Sequence, residues 1–163
     1  AEEIWRHLPG TRCESVFLAT WYEGLFPLTE QYACNHEFWE LILNIREAVG
    51  KELEILRARD GIGSSLDAEV ELHCADALYQ RLAPVAGELR FLLINSETTV
   101  HRSAAAAPDD LEGLRIVVRP STAAKCVRCW HHRADVGSHA EHPELCGRCV
   151  DNVAGSGETR RLG

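Results

Sequence analysis

The sequence predicts an α+β chain in three parts: a partial helical bundle over residues 1–60, a small α+β junction unit over 61–120, and a C-terminal four-cysteine zinc-knuckle module over 121–163. Three observations predict it. Apolar residues recur at steps of three and four between Phe38 and Leu56, as they do on one face of a helix. Ala68–His73 alternates, and Leu114–Arg119 runs apolar, in the manner of strands. Two Cys-x2-Cys pairs stand sixteen residues apart near the C-terminal end.

In chain order, Ala1–Leu8 reads as the end of an amphipathic helix with Ile4, Trp5 and Leu8 on one side, stopped by Pro9-Gly10. Residues 11–28 are irregular but aromatic (Phe17, Trp21, Tyr22, Phe26) and are expected to wrap as a loop over a helical surface. From about Glu30 to Arg59 the pattern is helical: Phe38, Leu41, Ile42, Ile45, Val49, Leu53 and Leu56 share the apolar face. Gly50 is a weak spot in that helix. Asp60-Gly61-Ile62-Gly63-Ser64-Ser65 breaks it. A strand at Ala68–His73 and a helix at Ala75–Leu82 follow. Pro84 opens another helical stretch, which runs into Phe91-Leu92-Leu93-Ile94, an apolar segment expected to be buried. Ser103–Asp110 is an alanine-rich loop, Leu114–Arg119 is the second strand, and Pro120–Lys125 links to the cysteine-bearing tail.

A chain of 163 residues with 45% apolar and 26% charged residues can bury its own core, which excludes disorder as its main state. No apolar run approaches the ~20 residues of a membrane span, so no membrane partner is expected. The acidic start, Ala1-Glu2-Glu3-Ile4-Trp5, has no secretory-signal pattern. Methionine is absent, even at position 1, so a piece of a longer protein or a processed product is expected. The net charge of −8 argues against indiscriminate nucleic-acid binding. It is uneven: residues 1–124 hold 11 Lys+Arg and 20 Asp+Glu, a net −9, and residues 125–163 hold 6 and 5, a net +1. No phosphate loop, nucleophile elbow or H-E-x-x-H pair is present, so no catalytic residue is assigned.

The cysteines carry the chemistry. Cys13, Cys34 and Cys74 are isolated, and a small, mostly buried apolar role suffices for them. Cys126-Val127-Arg128-Cys129 and Cys146-Gly147-Arg148-Cys149 each form a tight knuckle with two sulfurs within reach of one ion. Two knuckles complete the tetrahedral thiolate shell that structural zinc prefers. The expected cofactor is one structural Zn²⁺, with iron the alternative that soft thiolates leave open. The shell's net −2 would be offset by nearby Lys125, Arg128 and Arg148, and His131, His132, His139 and His142 are expected at the surface or behind the ligands. The tail holds few large apolar residues, so its folding is expected to depend on metal.

Basic donors interleaved with an aromatic ring suit looped or single-stranded RNA, where guanidinium groups hold phosphates and an indole stacks on a base. The RNA-binding candidates are Lys125, Arg128, Trp130, His131 and Arg148, with His132 and Arg133 among them and Arg160 and Arg161 beyond. Trp130 has two readings, a cover for the metal site or a stacking platform.

The run Lys125–His131, then Asp135-Val136-Gly137, then His142–Val150 with Asn152-Val153, closely resembles the C-terminal zinc module of bacterial isoleucyl-tRNA synthetases. Ala1–Trp5 with Leu8-Pro9-Gly10, Ser15-Val16-Phe17 and Trp21 resembles the late part of that family's anticodon-binding helical domain, and Ile62–Leu66 with Ala68-Glu69-Val70 the segment after its long helix. The resemblance implies a class I ligase, cytoplasmic, that activates isoleucine with ATP and transfers it to tRNA(Ile). Its catalytic core, with H-I-G-H and K-M-S-K-S signatures, and its editing domain would lie upstream, so ATP belongs to a part not in this chain. The editing domain answers a discrimination problem: one methylene separates isoleucine from valine only about a hundredfold. The fragment itself would be a tRNA-recognition arm along the anticodon stem-loop, with zinc on Cys126, Cys129, Cys146 and Cys149 and the rest of the parent chain as partner. Two alternatives stand beside it: the zinc module of a DNA glycosylase-like protein, and a standalone zinc-ribbon interaction protein.

Overall fold

Two stretches of chain gather around their own contacts, Ala1–His36 and Glu37–Gly163. The computed structural model describes residues 1–25, 27, 34–59, 61–103 and 113–159.

In the first stretch, α1 (Glu2–His7) has acidic residues in its first turn and basic ones in its last, matching the helix dipole. The chain after Pro9 folds back on it: Trp5 Nε1 donates to the Cys13 carbonyl at 3.0 Å, and Glu2 Oε1 accepts from Ser15 Oγ at 2.7 Å and Val16 N at 3.1 Å. The aromatic residues do not cover a helix as expected. Phe17 is 83% and Trp21 93% exposed, because the six-residue α1 buries no side chain and offers no surface to cover them. Phe26 lies outside the described residues. Cys13 is exposed rather than buried, Cys34 is half-buried, and only Cys74 is fully buried, its thiol pushed up to about 11 by that burial.

The second stretch opens with α2 (His36–Ala58), whose Phe38, Ile42, Ile45, Val49 and Leu53 are buried as the periodicity predicts. The expected part of that helix at 30–33 lies outside the described residues. Beyond it, Ser64 and Asp67 form a reciprocal capping box: the Ser64 N–H donates to Asp67 Oδ2 at 2.7 Å, and Ser64 Oγ accepts within the same short turn. The turn delivers the chain to β1 (Ala68–Cys74), in which alternate residues are buried.

Then come α3 (Asp76–Leu82), a 3-10 turn at Ala83–Glu88 opened by Pro84, and α4 (Leu89–Leu92). β2 (Glu97–Arg102) and β3 (Leu114–Pro120) flank β1 in the order β2-β1-β3, parallel on one side and antiparallel on the other. The strand Glu97–Arg102 is not among the elements the sequence predicts. The sequence also predicts the whole run Phe91–Ile94 to be buried. Leu93 is buried, but Ile94 is 43% exposed with φ at +55°, because the chain leaves α4 there and reverses into β2. Residues 104–110 of the expected loop lie outside the described residues. α5 (Gly147–Ala154), also absent from the sequence reading, follows the second knuckle. No helix among the described residues is long and apolar enough to cross a membrane.

Candidate metal centre

The first knuckle is a tight hairpin. Lys125 and His132 pair as an antiparallel bridge, the Cys126 N–H reaches the His131 carbonyl at 3.0 Å, and the Trp130 N–H reaches the Cys126 carbonyl at 2.9 Å. Trp130 closes the turn with φ at +65°, a left-handed conformation disfavoured for a bulky residue. The second knuckle is a helix start. Cys146 is the N-cap of α5, and its N–H donates to Cys126 Sγ at 3.4 Å, so the start of that helix adjoins the sulfurs. The Val127 N–H donates to the Glu144 carbonyl at 3.2 Å and joins the two knuckles. Gly147 is required by close approach: its N–H donates to Asp135 Oδ2 at 2.9 Å, and a Cβ there would meet the same oxygen at 2.9 Å.

The sulfurs of Cys126, Cys129, Cys146 and Cys149 all lie within 4.8 Å of one another, and none is in a disulfide. Cys129 Sγ and Cys146 Sγ are 3.7 Å apart. A tetrahedron with Zn–S bonds of about 2.3 Å has edges of about 3.8 Å, so the spacing suits zinc. Val136 and Leu145 pack against the cluster and shield it from water. Burial opposes ionisation of Cys126, but the N–H groups of Cys129, Cys146 and Arg128 outweigh it and hold that thiol at about 6. Burial pushes Cys146 up to about 12 and raises Cys129 as well. Thiols this close cannot all ionise together unless a cation sits among them, and a divalent metal deprotonates coordinating thiols outright. Donor type, spacing and burial fit one closed, structural zinc, with no open position for substrate.

The candidate RNA-binding residues divide in two. Trp130 is 61% exposed, so its ring does not lie buried over the cysteines. Arg128 is exposed, and its Nη1 donates to Cys149 Sγ at 3.6 Å. The other three are engaged within the chain. Lys125 reaches Asp67 at 3.5 Å. Arg148 is held by Glu158 at 2.6 Å, which raises its pKa, and lies 4.9 Å over the Phe91 ring. The His131 ring meets the edge of Phe91 at 5.9 Å, and burial, together with Arg90 and Arg148, lowers its pKa so that it stays neutral at pH 7. Arg160 and Arg161 lie outside the described residues.

His132 and Arg133 dock the metal module against β2. The His132 N–H donates to Ser96 Oγ at 2.6 Å, His132 Nδ1 bonds the Ala123 carbonyl at 2.7 Å, and Arg133 pairs with Glu97. The sequence alone does not show the receiving side of this joint: Asp67, Phe91, Ser96 and Glu97. Nothing local marks these residues, since their partners stand tens of positions away.

The zinc finger found in FPG and IleRS matches residues 124–152. The isoleucine–tRNA ligase of Methylococcus capsulatus is 58% identical over 100% of this chain and 18% of its own length. Those of Pseudomonas aeruginosa and Nitrosococcus oceani are 51% and 53% identical over 98% of this chain and 17% of theirs. The chain thus spans less than a fifth of the length of these curated relatives. The glycosylase alternative is not favoured, because the relatives that match the whole chain are ligases. From end to end the chain has the sequence of a segment of the bacterial isoleucine–tRNA ligase family, and a C-terminal fragment of such a ligase fits both comparisons.

Proposed function

We propose that this chain is the tRNA-recognition arm of an isoleucine–tRNA ligase, holding the anticodon stem-loop of tRNA(Ile) while ATP-dependent aminoacylation takes place elsewhere in the cytoplasmic parent enzyme. Cys126, Cys129, Cys146 and Cys149 are the ligands of its one zinc. The carrying observation is the similarity to these ligases over the whole chain, together with a four-cysteine cluster whose first knuckle leaves the Trp130 indole exposed. The three-part division at about residues 60 and 120 is the working plan of the arm: helical bundle end, α+β junction, zinc module.

The chemistry follows from the geometry. Zinc locks the two knuckles together, and Lys125, His131, His132, Arg133 and Arg148 fasten the resulting module to the turn before β1, to α4 and to the start of β2. Trp130 is thereby presented on a fixed turn, ready to stack on an unpaired anticodon-loop base, while Arg128 supplies positive charge for the backbone. The arm contributes positioning, since the metal site has no open coordination position.

The test is binding of the zinc-loaded chain to a tRNA(Ile) transcript, an isolated anticodon stem-loop and duplex DNA across a salt series. Salt-sensitive binding to the transcript, competed by the stem-loop, is the expected result. Equal affinity for duplex DNA, or no competition by the stem-loop, overturns the reading.

A further inference from the structure

β1 and β2 run side by side in parallel, and their register sets Glu71 beside Thr99 and His73 beside His101. These four side chains share the sheet face opposite Ala68, Val70, Leu72 and Cys74, which are buried in the core. Because the strands are parallel, both imidazoles lean the same way. His73 Nε2 lies 3.3 Å from Glu71 Oε2, and His101 Nε2 lies 3.0 Å from Thr99 Oγ1, each partner two residues back along its own strand. The two rings stack, with centres 5.0 Å apart and planes 24° from parallel. His101 and Thr99 are exposed, and His73 and Glu71 are half-buried.

Two imidazoles and a carboxylate are donors that borderline divalent transition metals take. One pair already has the spacing of a coordination shell. Ligands about 2.0 Å from a tetrahedral ion stand about 3.3 Å apart, which is the distance between His73 Nε2 and Glu71 Oε2. To join them, the His101 ring must swing from Thr99 toward Glu71, and its exposure on an edge strand leaves room for that. Arg119 holds the other oxygen of Glu71 and also pairs with Glu69 at 3.1 Å. A partner of this kind fixes a ligating carboxylate in place. The cation next in the histidine row, Arg115 on β3, is exposed, so water and salt screen its charge.

We propose that His73, His101 and Glu71 form a second metal site on the open face of the sheet, one that takes a single divalent ion of the Ni²⁺, Cu²⁺ and Zn²⁺ group. It differs in kind from the cysteine cluster. Its donors are nitrogen and oxygen, it has three protein ligands instead of four, and it stands at the surface, so water completes the shell and the ion exchanges readily. A bound ion ties the edge strand β2 to the central strand β1 towards the end of their pairing away from Glu97, the residue that receives Arg133 of the metal module. An ion that binds only the folded pair also stabilises it by mass action.

The test uses the whole chain with its cysteine cluster already loaded with zinc, and Ni²⁺ as the probe, with uptake read by calorimetry and released zinc measured in parallel. Wild type is expected to take up one Ni²⁺ beyond its zinc and to release none. His73→Ala and His101→Ala are each expected to weaken Ni²⁺ by about tenfold or more, at least the scale of losing a residue behind a ligand. Glu71→Gln is expected to weaken it less, and His7→Ala, on α1, to change nothing. Paramagnetic Ni²⁺ is expected to broaden the ring-proton signals of His73 and His101 before those of other histidines, and to raise the melting temperature of wild type but of neither histidine variant. No uptake beyond zinc, or uptake that both histidine variants leave unchanged, overturns the proposal and leaves the pair as a cross-strand stack alone. So does Ni²⁺ uptake matched by zinc release, which would put the ion on the cysteines. If His73→Ala fails to fold, His101→Ala, which removes one exposed ring from an edge strand, still decides.

Discussion

Ser96 Oγ accepts a hydrogen bond from the His132 N–H at 2.6 Å and donates its own proton to the Leu66 carbonyl, so one buried hydroxyl ties the metal module to the turn before β1. Ser96→Ala leaves a donor and an acceptor unpaired at this joint. The expected cost is about 1–3 kcal/mol in a urea titration of the zinc-loaded chain. A variant as stable as wild type would mean that water replaces both bonds and that the hydroxyl is not what fastens the module.

How much of this joint was legible in the sequence depends on range. The knuckles were, because both ligands of each pair sit three residues apart and the pattern is local. The α2 face was, because Phe38 to Leu53 repeats with the helix period over 16 residues. β2 was not: it is an edge strand in which Thr98 is buried but Thr99, His101 and Arg102 face water, so it shows little apolar alternation. Nor could composition show which cations are already matched. Lys125 and Arg148 look alike as RNA-binding candidates until folding brings Asp67, 58 residues away, to one and Glu158 to the other.

Zinc affinity should fall as pH falls. Burial raises the Cys129 and Cys146 thiols, Cys146 to about 12, so both are protonated at neutral pH and must lose their protons to bind zinc. Binding at pH 7 is therefore expected to release roughly two or more protons per zinc. Calorimetry in buffers of different ionisation enthalpy measures this number directly. Release of fewer than one proton would mean that the shell is already ionised without metal.

Asp67 gives a second pH effect in the same direction, at a more acidic pH. Burial pushes its carboxyl up, but the Ser64 N–H and the Lys125 ammonium outweigh that and leave it below its ordinary value. A folded-state value below the unfolded one contributes stability above about pH 4, lost as the pH drops through the folded value. Asp67→Asn is expected to lower stability at pH 7 and to flatten the acid limb of the stability curve. An acid limb unchanged in the variant would place the titration elsewhere.

Two glycines should respond to alanine with opposite signs. A Cβ at Gly50, inside α2, meets nothing within 4 Å, so Gly50→Ala is expected to stabilise the chain by about 0.5–1 kcal/mol. A Cβ at Gly147 meets Asp135 Oδ2 at 2.9 Å, so Gly147→Ala must push that carboxylate off its N–H partner and loosen the second knuckle. Thermal melts of both variants with zinc present check the signs; a stabilised Gly147→Ala would show that the Asp135 bond is dispensable.

Trp130 allows stability and binding to be separated. A bulky residue held at φ +65° carries a backbone cost of about 1–2 kcal/mol that glycine does not. Its indole is mostly exposed, so little apolar burial repays that cost within the chain. Trp130→Gly is therefore expected to melt no lower than wild type and to keep its zinc. The same variant is expected to lose about tenfold or more in affinity for the tRNA(Ile) anticodon stem-loop, the scale of one lost base stack. Trp130→Phe, which keeps a stacking face, should recover most of that loss. A Trp130→Gly chain that loses zinc or melts well below wild type, with RNA affinity falling only in proportion, would make the indole a cover for the cysteines, and the strained turn would then owe its tryptophan to metal retention instead of RNA.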